Sequence, residues 1–213
     1  MTKDYIRIDS VTKQFKELCA LDHVSVTFEQ GKIHGIIGRN GSGKTVLLKC
    51  ICGFMAATSG QITIDGKAVK PSSPQQIGAI IETPGFIDSI SGFRNLLYLS
   101  QINRTVSKEQ IRSVMQKVGL DASLKKPVRK YSLGMRQRLG IAQAIMEEPP
   151  LLVFDEPMNG LDNAGVRDMR ELFRELRRSG KTILLASHNP LDIEELCDTV
   201  CEMDAGHLKI IST

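Results

Sequence analysis

At 213 residues, 41% hydrophobic and 24% charged, the chain can bury one sizeable core and carries no low-complexity tract, linker or internal repeat. Its 28 basic and 24 acidic residues leave a net charge of +4, an excess too small and too scattered to argue for nucleic acid. No apolar run approaches the ~18 residues needed to cross a bilayer, and Met1-Thr2-Lys3-Asp4 begins no signal-peptide segment, so a cytosolic protein is expected. Five cysteines is an odd count, and neither Cys50-Ile51-Cys52 nor Cys197 with Cys201 has zinc spacing; reduced core thiols are expected. His23, His34 and His207 stand apart from any set of ligands and read as structural or surface residues.

Strand-like alternation opens the chain in Tyr5-Ile6-Arg7-Ile8 and recurs in Val24-Ser25-Val26-Thr27-Phe28. Phe15 lies between them, and an aromatic a short way before a phosphate loop either stacks on a nucleobase or fills a core. Lys32-Ile33-His34-Gly35-Ile36-Ile37 reads as a buried strand and Val46-Leu47-Leu48-Lys49-Cys50-Ile51 as a helix. Between them GRNGSGKT fits G-x-x-x-x-G-K-[ST] in the strand-loop-helix setting that a P-loop requires. The glycines Gly38, Gly41 and Gly43 let the backbone turn so that successive N–H groups, with Asn40 and Ser42 among the binding residues, face one concavity, and the helix N-terminus adds about half a positive charge, which together hold a nucleotide's phosphates. Lys44 is expected at the β and γ oxygens, and the Thr45 hydroxyl at Mg²⁺.

Thr58-Ser59-Gly60 breaks the helical pattern, and Gln61 to Gly66 resumes alternation before an Asp-Gly turn, which suggests a small antiparallel layer. Ile77-Gly78-Ala79-Ile80-Ile81 is continuously apolar, the form of a parallel strand covered on both faces, with Glu82 at the end where ligands of such sheets bind. From Pro84 to Glu148 the period is helical. Ser91 caps a helix carrying Phe93, Leu96, Leu97 and Leu99, and Ser107-Lys108-Glu109-Gln110 is a capping box for one carrying Ile111, Val114, Met115 and Val118. A last helix follows Tyr131 to Met135 and turns Leu139, Ile141, Ala142 and Ile145 inward. The basic residues around it, Lys125, Lys126, Arg129, Lys130, Arg136 and Arg138, read by themselves as a solvated face.

Leu151-Leu152-Val153-Phe154 then runs into Asp155-Glu156, which in a P-loop chain puts one acid near Mg²⁺ and the next near the γ-phosphate. A helix with Val166, Met169, Phe173 and Leu176 on one face precedes the strand Thr182 to Ala186, whose end brings Ser187-His188 to the ligand edge. A short helix and two short strands complete the chain to Thr213. The expected fold is one α/β domain: a P-loop NTPase (RecA-like) core from 1–82 and 149–213 with a small antiparallel β layer, and a helical subdomain inserted at 83–148.

Taken together, GRNGSGKT, YSLGMRQRLGIA, LLVFDEPMNGLD and Ser187-His188 resemble the ATP-binding subunits of ABC transporters over essentially the whole chain. IGAIIETPGF and YSLGMRQRLGIA resemble most the bacitracin-resistance and lantibiotic-immunity exporters. The resemblance implies a head-to-tail dimer, with two nucleotides sandwiched between the P-loop of one copy and the signature segment of the other. It makes Phe15 the adenine-stacking aromatic, Ser132 to Met135 the signature, Asp155 the metal-side acid, Glu156 the general base, Asp162 the loop linking the two sites and His188 the γ-phosphate switch. Four positions depart from the family's pattern. Val46 replaces a hydroxyl residue and leaves only its N–H for an α-phosphate; Leu133 and Met135 replace parts of LSGGQ while Ser132 and Gly134 survive. Met158 stands where Thr is common, and Glu82 offers the metal a carboxylate where an amide is usual, able to accept a hydrogen bond but not to donate one.

The resulting expectation is an ATPase subunit that binds ATP and Mg²⁺ and powers a separate integral-membrane permease, an exporter of peptide antibiotic or drug-like substrates. It would work as a homodimer or a pseudo-dimer with another such subunit, without nucleic acid, cytoplasmic and held to the inner face of the cell membrane by the permease. Thr83 to Arg94 is the segment expected to touch the permease. A non-transport ABC protein would be marked by tandem cassettes or a long coiled-coil insertion, neither of which occurs here; a nucleotide-binding module without turnover has only Glu82 in its favour.

Overall fold

The computed structural model describes residues 3–71, 76–103 and 106–212, so Met1, Thr2 and Thr213 of the sequence reading lie outside the described residues. In chain order the elements are β1 (Asp4–Phe15), β2 (Leu18–Glu29), β3 (Ile33–Ile37), α1 (Lys44–Ile51), β4 (Ser59–Ile64), β5 (Lys67–Ala68), β6 (Ile77–Ile80), α2 (Gly92–Asn103), α3 (Lys108–Lys117), a 3-10 turn (Val128–Lys130) and α4 (Leu133–Ile145). They continue with β7 (Leu151–Asp155), α5 (Asn163–Arg178), β8 (Thr182–Ala186), α6 (Pro190–Leu196), β9 (Thr199–Asp204) and β10 (His207–Ser212).

The central strands are buried continuously, and their alternate side chains build two cores on opposite faces of one sheet. That sheet runs β10-β9-β3-β8-β7-β6, parallel throughout except for β10 against β9. Leu151, Val153, Leu184 and Ala186 face α1 and the antiparallel sheet, where they meet Leu47, Ile51, Ile8 and Phe28. Leu152, Phe154, Ile183 and Leu185 face α5 and the helical insert, with Phe154 stacked on Phe173 at 4.8 Å between ring centroids. The second sheet, β2-β1-β4-β5, is the expected antiparallel layer.

One strand expectation needs correction. The opening strands are far longer than their alternating cores, and Phe15 is the last residue of β1, paired with Leu18 across a tight turn, not a residue between strands. The β1/β2 register shifts between Ile8 and Val11, where Ser10 takes a φ of 47°, so the alternation slips by a residue and the pattern is lost to a period-two reading. The apolar run at Ile77 is, as expected, a parallel strand covered on both faces, and it lies at the sheet edge beside β7 with Ile77 and Ala79 on the α1 side. Its alternately buried Gly78 and Ile80 are covered by α4.

The helical insert folds as its caps and faces dictate. Gln110 N donates to Ser107 Oγ at 3.2 Å and Ser107 N donates to Gln110 Oε1 at 2.7 Å, which completes the capping box of α3. Ser91 Oγ accepts only a long bond from Arg94 N, 3.4 Å. Buried Tyr131 ties the start of α2 to the segment before α4 by accepting from Gly92 N at 3.2 Å. Among the histidines, His34 is structural: Nε2 donates to Glu29 O at 2.8 Å, which makes Nδ1 the acceptor for Thr199 Oγ1 at 2.6 Å, and burial lowers its pKa.

Candidate functional site

The P-loop crosses from β3 to α1 at the carboxyl edge of the parallel sheet, where strand ends leave a crevice. Gly38 and Gly43 take φ of 151° and 114°, and both lie against backbone. A Cβ on Gly38 would come 2.2 Å from Met203 O, and one on Gly43 2.6 Å from Ala20 O. The turn between β9 and β10 props the loop from below: Gly206 N donates to Ser42 O at 3.0 Å, and Gly206 O accepts from Asp22 N at 2.9 Å. Lys44 folds back over the loop, its Nζ donating to Gly38 O at 2.6 Å and Arg39 O at 3.1 Å. Ser42 Oγ is buried and has no hydrogen-bond partner among the described residues.

Beneath the loop, Thr45 Oγ1 donates to Asp155 Oδ2 at 2.6 Å. Burial raises the Asp155 pKa from its ordinary value, Glu156 and Glu82 push the same way, and the Thr45 bond and Lys44 oppose them. Glu156 holds a left-handed φ of 53°, its N–H donating to Ala186 O at 2.9 Å, and its Oε2 lies 2.8 Å from His188 Nδ1. Left-handed backbone at a non-glycine residue is costly and gathers at functional sites. Glu82, at the end of β6, is the other carboxylate of this edge in that conformation, with a φ of 64°. Its Oε1 accepts from Lys49 Nζ of α1 at 2.7 Å, so the carboxylate is engaged by a lysine that the sequence did not mark.

Of the residues singled out by sequence, Phe15, Asn40, Gly41, Ser42, Gly43, Lys44, Thr45, Val46, Asp155 and Glu156 line one cavity of about 590 Å³. Phe15 is 40% exposed, with Lys13 Nζ 4.9 Å from its ring centroid, so it is a surface aromatic facing that cavity and not a core residue. Gly38 and His188 line a second cavity, of about 800 Å³, with Arg39 and Met203. Ser132, Gly134 and Asp162 line neither. Ser132 Oγ caps α4, accepting from Met135 N at 3.2 Å, and Asp162 Oδ1 caps α5, accepting from Gly165 N at 2.8 Å. Gly134 lies under the loop before α5, where a Cβ would come 2.8 Å from Gly160 O. Sequence reasoning missed Leu18, Cys19 and Ala20 of the extended hairpin, and Ala205 and Gly206 of the β9–β10 turn, all of which line the first cavity. Their only local signal was a turn-forming Ala-Gly pair.

Two donors and an orphan decide what fits this site. A hydroxyl and a carboxylate in contact are hard oxygen ligands of the kind Mg²⁺ takes, and the unpartnered Ser42 Oγ sits in a loop whose N–H groups suit phosphate. Among the described residues no three His, Cys, Asp or Glu side chains converge as a metal cage, so a cation here would draw most of its shell from phosphate and water oxygens.

Comparison with known proteins agrees with this geometry. Residues 21–159 match the family model described as ABC transporter. The chain is 41% identical over 206 residues to the uncharacterized ABC transporter ATP-binding protein YybJ of Bacillus subtilis (strain 168), spanning 96% of this chain and 94% of that protein. It is 39% identical over 207 residues to the bacitracin transport ATP-binding protein BcrA of Enterococcus faecalis, spanning 95% and 67%. It is 35% identical over 195 residues to the lantibiotic transport ATP-binding protein SrtF of Streptococcus pyogenes, spanning 92% and 85%. Among solved structures, a dimeric bacterial ABC transporter cassette superposes with a TM-score of 0.89 at 21% identity, over 97% of this chain and 98% of that one. A nucleotide-free ATP-binding cassette from an ABC transporter superposes at 0.84 with 25% identity, over 97% and 90%. A shared family model, close relatives along nearly the full length and a common fold all point one way: this chain belongs to the ABC transporter family, among its ATP-binding subunits.

Proposed function

We propose that the chain binds ATP with Mg²⁺ and hydrolyses it within a head-to-tail dimer that powers a separate membrane permease, an exporter of peptide antibiotics or drug-like compounds. The observation that carries the reading is the Thr45–Asp155 contact beneath the P-loop, with Glu156 and His188 beside it. Thr45 and Asp155 would hold Mg²⁺, whose chemistry there is to neutralise charge on the β and γ oxygens. Lys44 leaves the Gly38 and Arg39 carbonyls for those oxygens, and Ser42 Oγ gains a partner. Glu156 accepts the proton of the attacking water, and His188 orients Glu156 and the γ-phosphate.

The remaining parts of the reading have their own support. The N-terminus of α4 has no acidic residue in its first turn, and Leu133 beside it is 63% exposed, so Ser132 presents a helix end suited to phosphate away from its own cavity. That favours a signature segment acting on a partner's nucleotide, as does the dimeric cassette of like fold. For the permease, Phe54 and Ile102 are 68% and 75% exposed and line a cavity of about 700 Å³ together with Ile77 and Leu99, at the joint between core and insert. Exposed apolar side chains around a concavity are what an amphipathic cytoplasmic loop requires. Ile87, also exposed, lies within Thr83 to Arg94. No helix of the described residues is long and apolar enough to cross a membrane, and the proposed location is the inner face of the membrane, through the permease. Relatives named for bacitracin and lantibiotic transport support the class of cargo.

Kinetics of two variants test the core of this. Lys44→Ala should abolish productive ATP binding or turnover, because it removes the one flexible cation aimed at the phosphates. Glu156→Gln should keep ATP, elute as a dimer with ATP and Mg²⁺, and turn over about 10²- to 10⁴-fold more slowly, the usual worth of a general base. Normal hydrolysis in both variants would overturn the reading.

A further inference from the structure

Behind the turn that presents His188 lies a buried ion pair that the hydrolytic groups do not touch. Arg170 of α5 and Asp192 of α6 are 9% and 1% exposed, and Ser187 beside them is 2% exposed. Nε and Nη2 of Arg170 both donate to Asp192 Oδ1, at 3.0 and 2.6 Å, and Nη1 donates to Glu195 Oε1 at 2.6 Å. Asp192 Oδ2 is left for the Ser187 hydroxyl, which donates to it across 3.5 Å. A buried hydroxyl has to place its proton on an acceptor, and among the described residues that carboxylate is the one Ser187 has.

The same Ser187 Oγ accepts from Asn189 N at 3.1 Å, a bond that spans His188 and closes the backbone around it. Both sides of the histidine are anchored. Ser187 N donates to Ile36 O of β3 at 3.3 Å, and Asp192 N donates to Asn189 O at 3.2 Å where α6 begins. The His188 side chain is itself 61% exposed, with Nδ1 2.8 Å from Glu156 Oε2. A side chain so open to solvent keeps that distance only as well as its backbone is held. Replacing a buried ion pair by apolar side chains of like volume is often neutral for stability, so stability alone does not account for Arg170 and Asp192 at this place.

We propose that Arg170, Asp192 and Ser187 are positioning residues for hydrolysis: Arg170 orients Asp192, Asp192 orients the Ser187 hydroxyl, and Ser187 holds the turn that keeps His188 Nδ1 against Glu156. The inference rests on the reading of His188 as the partner of Glu156. None of the three lines the P-loop cavity or the cavity beside His188, so they act through that one side chain. A misplacement of about 1 Å in such a group costs about 10²-fold in rate. Arg170 also ties the His188 turn to α5, the helix that Asp162 caps.

The test compares Ser187→Ala, Ser187→Thr and the paired replacement of Arg170→Met with Asp192→Leu, which leaves no orphan charge because Glu195 keeps Arg174. Ser187→Ala and the paired replacement should lower kcat about 10- to 100-fold with the Kd for ATP within about twofold of the parent. Ser187→Thr keeps the oxygen and should restore kcat to within about threefold. In a His188→Ala background, with residual hydrolysis followed in single turnover, Ser187→Ala should cost less than about twofold more, since residues acting through one group are not additive. The ring resonances of the four histidines, read by ¹⁵N NMR in the nucleotide-free protein, report on the same contact without turnover. In Ser187→Ala the His188 resonance should move towards its position in Glu156→Gln, and that of His34 should stay. Parent kcat in both Ser187→Ala and the paired replacement, a loss carried by ATP affinity, a full second loss in the His188→Ala background, or an unmoved His188 resonance would overturn the proposal while leaving the role of His188 intact. Parent turnover in His188→Ala would remove the His188 reading and this proposal with it.

Discussion

At Asp155 the electrostatics of the site become a statement about stability. Burial raises its pKa in the folded chain, and an acid shifted upward contributes stability below its unfolded pKa that is lost as pH rises through the folded value. At neutral pH the ionised carboxylate therefore opposes folding unless a cation meets it. Asp155→Asn, which can still accept from Thr45, should melt above the parent at pH 7 without Mg²⁺. The gap should close as the pH falls into the carboxylate range, and the rise in melting temperature produced by ATP with Mg²⁺ should be lost in the variant. A variant that melts below the parent at pH 7 would contradict this account. Glu82 is a related case, held by Lys49 in an ion pair whose members are 64% and 27% exposed. Such a pair is worth little, so Glu82 can leave Lys49 for a metal-bound water at small cost. Glu82→Gln should raise the Mg²⁺ concentration for half-maximal activity about two- to fivefold, and Lys49→Met should lower it. An unchanged requirement in both would assign Glu82 a purely local role.

Among the elements, β6 and α4 meet so closely that a single methyl group discriminates. A Cβ on Gly78 would fall 1.9 Å from Ala144 O, a helix carbonyl that cannot yield without moving α4. Gly78→Ala should cost about 1–3 kcal/mol. At ~2–4 °C of melting temperature per kcal/mol that is readily measured. Gly85→Ala, where nothing lies within 4 Å, is the control expected to change little. Equal effects in the two would show that the contact is not the cause. The same scale shows what the sequence could tell. The insert was legible because its signals are local: the Ser107–Gln110 box and the apolar faces of α3 and α4 need no tertiary knowledge. So was the cradle side of the site, since Gly38 to Thr45, Asp155 and Glu156 stand at strand ends that apolar runs predict. The hairpin was not, because bulges near Ser10 break the alternation that defines a strand on paper. Neither was the support under the P-loop, because the contacts of Gly206 with Ser42 and Asp22 join segments far apart in the chain through backbone atoms common to every residue.

The arrangement of the whole molecule leaves Ser132 and Gly134 outside the cavity that Lys44 and Asp155 line, although YSLGM and GRNGSGKT are both needed for one reaction in the proposed dimer. Within one chain, Ser132 Oγ is occupied by Met135 N and Asp162 Oδ1 by Gly165 N, each a cap that fixes a helix end outside the cavity lined by Lys44 and Asp155. If the α4 N-terminus stabilises charge on a partner's γ-phosphate, a lone copy binds ATP but hydrolyses it poorly, and activity rises faster than linearly with concentration. Each half can then be broken separately. Lys44→Ala spoils the P-loop of a copy and leaves its signature, whereas Ser132→Arg spoils the signature and leaves the P-loop. In the mixed dimer one sandwich contains both defects and the other contains neither, so each variant should be inactive alone and the mixture should recover up to about half the activity of the same amount of parent dimer when every dimer is mixed, less in proportion to the fraction that is. The measurement is ATPase activity against mixing ratio, with heterodimers confirmed by differently tagged copies. Persistent inactivity of confirmed heterodimers, or full activity of Ser132→Arg alone, would mean that α4 serves its own chain and that the head-to-tail arrangement does not hold.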